Sequence, residues 1–210
     1  MTKKNETTVS IPEIGLAILR LTLEGRTSLI SHAWGEKTRK MMLEKQTGAA
    51  RQKKAAKDPQ ADYQASLYPM PGEEGVYAFP SSGLKRAAVS ACRFVEGIPM
   101  TRAKGSFFVV GEWVRINGSP TMREDIVMLN SGMKPVPDIR FRGEFKKWSM
   151  DLEIEYNTRA ISPAQIINLF NNAGFGVGIG DWRPEKNGDH GRFCVKADAP
   201  PTKQAKAGSA

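Results

Sequence analysis

The chain has 210 residues, of which 40% are hydrophobic, and it carries a formal net charge of +9 at pH 7. This length is enough for one large domain or two small ones, and the positive charge favours polyanionic partners, nucleic acid before anionic membrane. No apolar run approaches the roughly 20 residues of a membrane span. We expect no secretory signal, because no apolar h-region follows the basic first residues, and two cysteines, Cys92 and Cys194, are too few for a disulfide framework. We therefore expect a cytoplasmic protein whose thiols are free and buried.

The first part of the chain predicts a strand followed by a basic segment. Residues 1–10 are polar, which favours a disordered N-terminus. From Gly15 to Glu24, "GLAILRLTLE" alternates leucines with polar residues, the pattern of a half-buried strand. Residues 35–57 hold eight Lys or Arg against two Glu, so we expect a basic, partly helical excursion from the core. This excursion lacks the wide apolar face of a membrane-surface helix, so we expect no membrane partner.

The middle of the chain predicts one helix and several strands. Ser81 or Ser82 is expected to cap a helix that runs to about Val95. Its predicted buried face consists of Leu84, Ala87, Ala88, Ala91 and Phe94. "SFFVVGEWVRI" predicts a pair of strands broken by Gly111, and "IRFRGEFKKW" and "DLEIEYN" predict two more. Residues 117–138, between these strands, look irregular because they contain "NGSP" and "PVPD".

The last predicted helix has clear signals at both ends. Ser162 is its expected cap, Pro163 occupies its first position, and Gly174 is expected to end it. Its predicted buried stripe consists of Ile166, Leu169, Phe170 and Ala173. "RFCVK" then predicts a closing strand, and residues 197–210 a disordered tail.

The order of these elements is strand, helix, strands, helix, strand. This order predicts an α+β protein with a ferredoxin-like βαββαβ core, whose helices cover one face of an antiparallel sheet and leave the other free to bind. We expect a single domain at 11–196, with long insertions at about 35–76 and 112–148.

A glycine-rich segment follows the last predicted helix. From Gly174 to Phe193 the chain reads "GFGVGIGDWRPEKNGDHGRF", in which six of twenty residues are glycine. The spacing fits neither the dinucleotide-binding fingerprint nor a P-loop, and the segment follows a helix instead of opening one. A helix cap and a flexible hairpin would explain Gly174 and Gly188. They would not explain the remaining glycines, which alternate: Gly176, Gly178 and Gly180.

The alternating glycines predict a main chain with bare N–H groups, on which an anion can lie. Arg183, Lys186 and Arg192 would supply charge, and Trp182 or Phe193 a surface for stacking. Basic residues interleaved with aromatic ones suit single-stranded nucleic acid, because its bases are free to stack.

Two further stretches carry a family resemblance. "FPSSGLKRAAVSACR", from Phe79 to Arg93, resembles the strand–turn–helix of the repeat-associated mysterious proteins of CRISPR systems. The matching residues are Pro80, Ser81, Ser82, Gly83, Leu84, Lys85 and Ala87. The glycine-rich loop of that superfamily is similar to a second set, Gly176, Gly178, Gly180, Arg183, Gly191, Arg192 and Phe193. The predicted first strand and "GRTSLISHAWGEK" resemble the superfamily's opening strand and turn.

The layout resembles the backbone subunit of CRISPR effector complexes, and also uncharacterised proteins of bacteriophages and prophages. The resemblance implies a modified RNA-recognition-motif core, self-assembly along single-stranded RNA or DNA, and a bacterial host cell. It puts the binding surface at Lys85, Arg86, Arg183 and Arg192. The insertions would be finger-like elements that clasp the strand or reach the next subunit.

Catalytic candidates are few, because His32 and His190 are the only histidines. Some members of the superfamily cleave RNA without metal by means of a histidine, so a metal-independent ribonuclease is one alternative. A structural or interaction protein of a phage is another. The "LISHAW" turn favours a hydrogen-bonded structural role for His32. Because neither converging carboxylates nor a nucleophile elbow is evident, we expect a non-enzymatic protein without metal or cofactor.

Overall fold

The computed structural model describes residues 13–33, 36–48, 56–131 and 134–196, and the two predicted disordered termini lie outside them. The predicted α+β class is confirmed. The described strands are β1 (Leu16–Gly25), β2 (Leu29–Ile30), β3 (Ala78–Pro80), β4 (Phe107–Val109), β5 (Trp113–Arg115), β6 (Pro120–Ser131), β7 (Lys134–Phe145), β8 (Ser149–Asn157) and β9 (Phe193–Val195). The described α-helices are α1 (Glu36–Gln46), α2 (Pro59–Ala65), α3 (Ser81–Ala91), α4 (Met100–Ser106) and α5 (Pro163–Asn172).

The main sheet has four antiparallel strands in the order β4-β8-β1-β9. The pairing of β1 with β8 runs from Leu16 opposite Asn157 to Glu24 opposite Ser149. The predicted alternation is confirmed, because the inward side chains of both strands are buried. They are Leu19, Leu21 and Leu23 in β1 and Met150, Leu152, Ile154 and Tyr156 in β8.

Helices α3 and α5 bury their apolar sides in the same core as this sheet. Helix α5 begins as predicted, because Ser162 accepts from the Gln165 amide while the Gln165 side chain accepts from the Ser162 amide. Its predicted stripe is buried, and the ring of Phe170 lies 6.2 Å from that of Phe107 in β4, centroid to centroid. Aromatic packing therefore connects this helix to the edge of the sheet.

The outward face of the sheet is acidic. Asp151, Glu153 and Glu155 of β8 alternate along it. Arg20 of β1 is 2.7 Å from Glu153, and Thr22 donates to Asp151 at 2.6 Å. The one basic side chain opposite β8 is thus already paired, and the face would repel a polyanion. The sheet face expected to be free for binding thus carries three acidic side chains along β8.

Helix α3 differs from its prediction at both ends. Ser81 is already helical, and the capping residue is Pro80, which provides no side-chain acceptor, so the predicted serine cap is wrong. The α-helix ends at Ala91 and continues as a 3₁₀ turn over Cys92–Phe94. Because a 3₁₀ turn is wound more tightly, the side chain of Phe94 leaves the buried stripe and is 61% exposed.

Residues 117–138, predicted to be irregular, belong largely to a long hairpin. Strands β6 and β7 pair from Pro120 opposite Phe145 to Ser131 opposite Lys134. The prolines of β7 suggested turns, but β2 pairs with β7 only at Glu144 and Phe145. The prolines of β7, Pro135 and Pro137, lie where one side of the strand is an open edge, at which a missing N–H costs no ladder hydrogen bond.

The segment around Gly111 also differs from its prediction. Strand β4 pairs with β8, whereas β5 pairs with β3, so the two strands belong to different sheets.

Both cysteines are free, Cys92 buried and Cys194 half-buried. Within the described ranges no helix has the length and apolar character needed to cross a membrane.

Candidate nucleic-acid interface

A cleft of about 640 Å³ lies between helix α3 and the glycine-rich segment. Ser82, Gly83 and Arg86 line it from the first turns of α3. Gly178, Gly180 and Arg183 are among the residues that line it from the glycine-rich segment. The fold therefore brings together the two sequence motifs that are far apart along the chain.

The start of α3 is open towards this cleft. Strand β3 leads straight into the helix, and the amide of Ser81 is used by the carbonyl of Glu112 at 2.9 Å. Because Pro80 cannot cap the helix with its side chain, the next amides of the first turn have no side-chain acceptor. The positive end of the helix dipole therefore lies beside the cleft.

The basic side chains of the cleft differ in how they are paired. Arg86 is exposed and makes no ion pair with any residue that the structure describes. Arg183 is held on one side by Glu185, at 2.8 Å, and donates to the carbonyl of Gly180 at 3.0 Å. Arg140 is 3.8 Å from Asp138. Arg86 is thus the cation most available to a bound anion.

The main chain of the glycine-rich segment is hydrogen-bonded at several positions, whereas the sequence predicted bare N–H groups. The amides of Gly178, Asp181 and Gly191 donate to the carbonyls of Ala173, Ile30 and Ser28 at 2.7, 2.9 and 2.8 Å. The N–H of Gly178, one of the three alternating glycines, is therefore used inside the protein and is not free for an anion. The segment contributes side chains and shape to the cleft instead.

The glycines are required by backbone conformation and close packing. Gly178 and Gly180 have φ values of 69° and 77°, in the left-handed region. A Cβ atom on Gly180 would lie 2.5 Å from the carbonyl oxygen of Ile30. The prediction that Gly174 ends helix α5 is wrong. Gly174 lies inside a π-helical turn, Ala173–Val177, which follows the helix directly, and the glycine that ends this turn is Gly178.

Several predicted site residues lie outside the cleft. The Lys85 ammonium is 3.5 Å from the ring centroid of Phe108, and burial lowers the pKa of Lys85. The guanidinium of Arg192 is 5.1 Å from the ring centroid of Phe175. Three more predicted residues, Gly176, Trp182 and Lys186, do not line the cleft either. The cleft thus contains Arg86, Arg183, Gly178 and Gly180 of the predicted set.

The two aromatic residues proposed for stacking have different surroundings. Phe193 is buried and packs edge-on against Trp148, with ring centroids 6.3 Å apart, so its predicted stacking role is wrong. Trp182 is 42% exposed and has a φ of 54°, which is uncommon for a bulky residue. Its carbonyl accepts from the amide of His190, and this bond fixes the turn.

One polar cluster at the cleft was missed in the sequence. Asp181 Oδ2 lies 3.0 Å from His32 Nδ1 and 2.9 Å from Arg142 Nη1. The hydrogen bond from His32, helped by the charge of Arg142, outweighs burial and lowers the pKa of Asp181 to about 2. These residues come from the turn after β2, the glycine-rich segment and β7, so no local spacing could have linked them. His32 also lines the cleft.

Comparison with known proteins yields similarities of fold only. No family model matches the chain, and no curated protein matches it in sequence. Cmr6 from Pyrococcus furiosus is similar with 11% identity and a TM-score of 0.48, over 88% of this chain and 100% of that one. A chain of the Type III-B Cmr-beta complex bound to cognate target RNA has 14% identity and a TM-score of 0.48. This similarity covers 86% of our chain and 59% of that chain.

A chain of a CRISPR RNA-guided surveillance complex is also similar, with 9% identity and a TM-score of 0.35, over 84% of this chain and 66% of that one. The third match is a CRISPR complex by name, but with TM-scores below 0.5 these similarities do not assign this chain to a family. Similarity at this level concerns the fold and carries no conclusion about a ligand of this chain.

Proposed function

We propose that the protein binds single-stranded nucleic acid, RNA or DNA, without cleaving it, in the cleft between α3 and the glycine-rich segment. In this proposal β1, α3, β4, β8, α5 and β9 form a ferredoxin-like core that holds the cleft. One observation carries the proposal: Arg86, Arg183 and the uncapped first turn of α3 converge on one cavity.

This arrangement suits a phosphate. Arg86 has no acidic partner among the described residues, and the helix dipole adds partial positive charge beside it. Arg183 can exchange the carboxylate of Glu185 for a phosphate oxygen, because guanidinium groups bind both in the same geometry. The volume of about 640 Å³ is typical of pockets that enclose a small ligand, and it suits nucleotides that enter one at a time.

The test compares two arginines with the same charge and different positions. Arg86→Ala removes the unpaired cation of the cleft, whereas Arg20→Ala removes a cation from the acidic face of the sheet. We expect Arg86→Ala to weaken the binding of a single-stranded oligonucleotide about tenfold and to lower the salt slope by about 0.7. Arg20→Ala should leave both unchanged.

Fluorescence anisotropy across a range of salt concentrations gives both quantities, and circular dichroism checks that each variant is folded. Equal effects of the two substitutions would exclude the cleft as the site. A wild-type protein that binds neither single-stranded RNA nor DNA would exclude the function.

His32 and Asp181 favour a second candidate, a metal-independent ribonuclease. The Nδ1 atom of His32 faces the Asp181 carboxylate, which leaves Nε2 available to take a proton from a ribose 2′-hydroxyl. The test is incubation of labelled RNA in the presence of a chelator. If the wild type cleaves the RNA and His32→Ala does not, the ribonuclease replaces the non-enzymatic proposal. If the RNA stays intact with the wild type, the non-enzymatic proposal is supported.

We also propose that the protein self-assembles along the strand through the β6–β7 hairpin. One face of this hairpin carries exposed apolar side chains, which a second copy could cover. They are Met122, Ile126, Met128 and Ile139, between 42% and 69% exposed. Ile126 and Ile139 are directly opposite in the ladder, so they form one continuous patch.

A further inference from the structure

Phe94 and Phe175 are the most exposed aromatic side chains of the described residues, 61% and 73% respectively. We propose that they form a stacking platform for unpaired nucleobases, outside the cleft. This inference rests on the proposed function, because the bases would belong to the strand whose phosphates enter the cleft.

Two irregular turns hold these rings at the surface. Phe175 lies in the π-helical turn after α5, and Phe94 ends the 3₁₀ turn after α3. Gly176 connects the two turns by packing against Phe94: a Cβ atom there would lie 3.2 Å from Phe94 Cε2. Phe175 is the residue before Gly176, so its main chain lies beside the Phe94 side chain.

Both rings have basic neighbours. The guanidinium of Arg192 lies 5.1 Å from the ring centroid of Phe175, a cation–π distance, yet most of this ring stays exposed. Arg93, next to Phe94 in the chain, is 3.6 Å from Glu185, and the same carboxylate pairs with Arg183 in the cleft. The platform is thus connected to the cleft by a row of alternating charges.

The flanking charges favour a nucleotide over an apolar protein surface as the ligand. A protein partner that covered both rings would also have to desolvate Arg93 and Arg192 and supply acids for them. A nucleotide provides a flat base for the rings and a phosphate for the guanidinium groups. Single-stranded nucleic acid meets both requirements along its whole length.

The experiment separates base contacts from phosphate contacts. Binding is measured with a single-stranded oligonucleotide and with one of the same length whose central nucleotides are abasic. We expect Phe175→Ala to weaken binding of the first about tenfold, while binding of the abasic strand stays unchanged. Phe175→Tyr, which keeps the ring plane, should bind both strands as the wild type does.

Phe108→Ala is the matched control, because Phe108 is 51% exposed and lies on β4 beside Lys85. It should leave both affinities unchanged. A Phe175→Ala variant that binds both strands like the wild type, or loses both equally, would overturn the platform. In either case a loss of binding in Arg86→Ala would leave the cleft proposal intact. Failure of the wild-type protein to bind either strand would overturn both proposals.

Discussion

Single residues explain why the glycine-rich segment has its composition. Gly180 combines a left-handed backbone with direct contact to the main chain of Ile30, so no side chain fits there. Gly178 is similar, because a Cβ atom would lie 2.6 Å from Pro184 Cδ. Gly178 and Gly180 are therefore required by the packing and backbone conformation of the segment, whether or not it binds a ligand.

The Gly180→Ala substitution tests this account. It should lower the free energy of unfolding by about 2–4 kcal/mol, which combines left-handed strain with overpacking. Gly72→Ala is the control: Gly72 has a φ of 82°, but nothing lies within 4 Å of its added Cβ. It should cost only about 1–2 kcal/mol, the strain alone. Urea denaturation gives both values, and equal losses would contradict the packing argument.

Asp181 provides a prediction about pH. Its pKa is lowered from 3.8 to about 2, so the folded state holds its proton less tightly than the unfolded chain does. The stabilisation is complete above the unfolded pKa and is lost as the pH falls towards 2. Asp181→Asn should therefore be less stable than the wild type at neutral pH, and the difference should shrink between about pH 4 and pH 2.

Chemical denaturation at several pH values measures this difference. The Asp189→Asn variant, which changes an exposed carboxylate of the same segment, should follow the wild-type curve. A constant gap between Asp181→Asn and the wild type from neutral to acidic pH would show that the pairing with His32 and Arg142 does not contribute as argued.

At the scale of elements, helices α3 and α5 begin in opposite ways. Helix α5 has a complete capping box built from Ser162 and Gln165, whereas α3 follows Pro80 and has no side-chain cap. The sequences look alike, because each offers a serine and a proline at the start. The order of the two residues determines which one is the N-cap. In α5 the proline follows the serine, so the serine is the N-cap, whereas in α3 the proline precedes the serine and is itself the N-cap.

This difference predicts unequal effects of two serine substitutions. Ser162→Ala should lower the free energy of unfolding by about 1 kcal/mol, because one amide loses its acceptor. Ser81→Ala should have almost no effect, since Ser81 makes no capping bond. Thermal or urea denaturation of both variants is the measurement. A cost for Ser81→Ala as large as that for Ser162→Ala would contradict the assigned caps.

At the scale of the whole molecule, charge and apolar surface are segregated. The outward face of the main sheet is acidic, the cleft has an unpaired cation, and the β6–β7 hairpin has an apolar face. In this arrangement the strand would follow the cleft and neighbouring copies would meet at the hairpin. Binding and self-assembly would then use separate surfaces and could be removed separately.

The hairpin substitution Ile126→Glu tests this separation. Ile126 is 69% exposed, so a charge there should not unfold the protein, yet it should prevent a second copy from covering the patch. We expect this variant to bind a short oligonucleotide like the wild type and to form no higher assemblies on a long one. Ile14→Glu, at a position 66% exposed, is the control.

Sedimentation velocity and electron microscopy with a long single strand distinguish the outcomes. Assemblies of Ile126→Glu that match those of the wild type would show that copies meet elsewhere. If the wild type stays monomeric on a long strand, self-assembly is excluded while the cleft remains testable with short oligonucleotides.

The sequence alone determined the elements whose signals are local. Alternation predicted β1 and β8, and the serine–proline start predicted α5, because side-chain periodicity and capping act within a few residues. The resemblance of two short motifs also named Arg86 and Arg183, and both line the cleft. These predictions needed no knowledge of which segments meet in space.

Only the tertiary structure decided how the site is assembled. In the folded protein the amides of Gly178 and Gly191 donate to main-chain carbonyls. Lys85 and Arg192 lie against aromatic rings. Asp181 pairs with both His32 and Arg142. Two phenylalanines are exposed in the structure: Phe94, which the helical pattern predicted to be buried, and Phe175, to which the sequence assigned no position. Each of these outcomes depends on contacts between distant segments, which the local sequence does not encode.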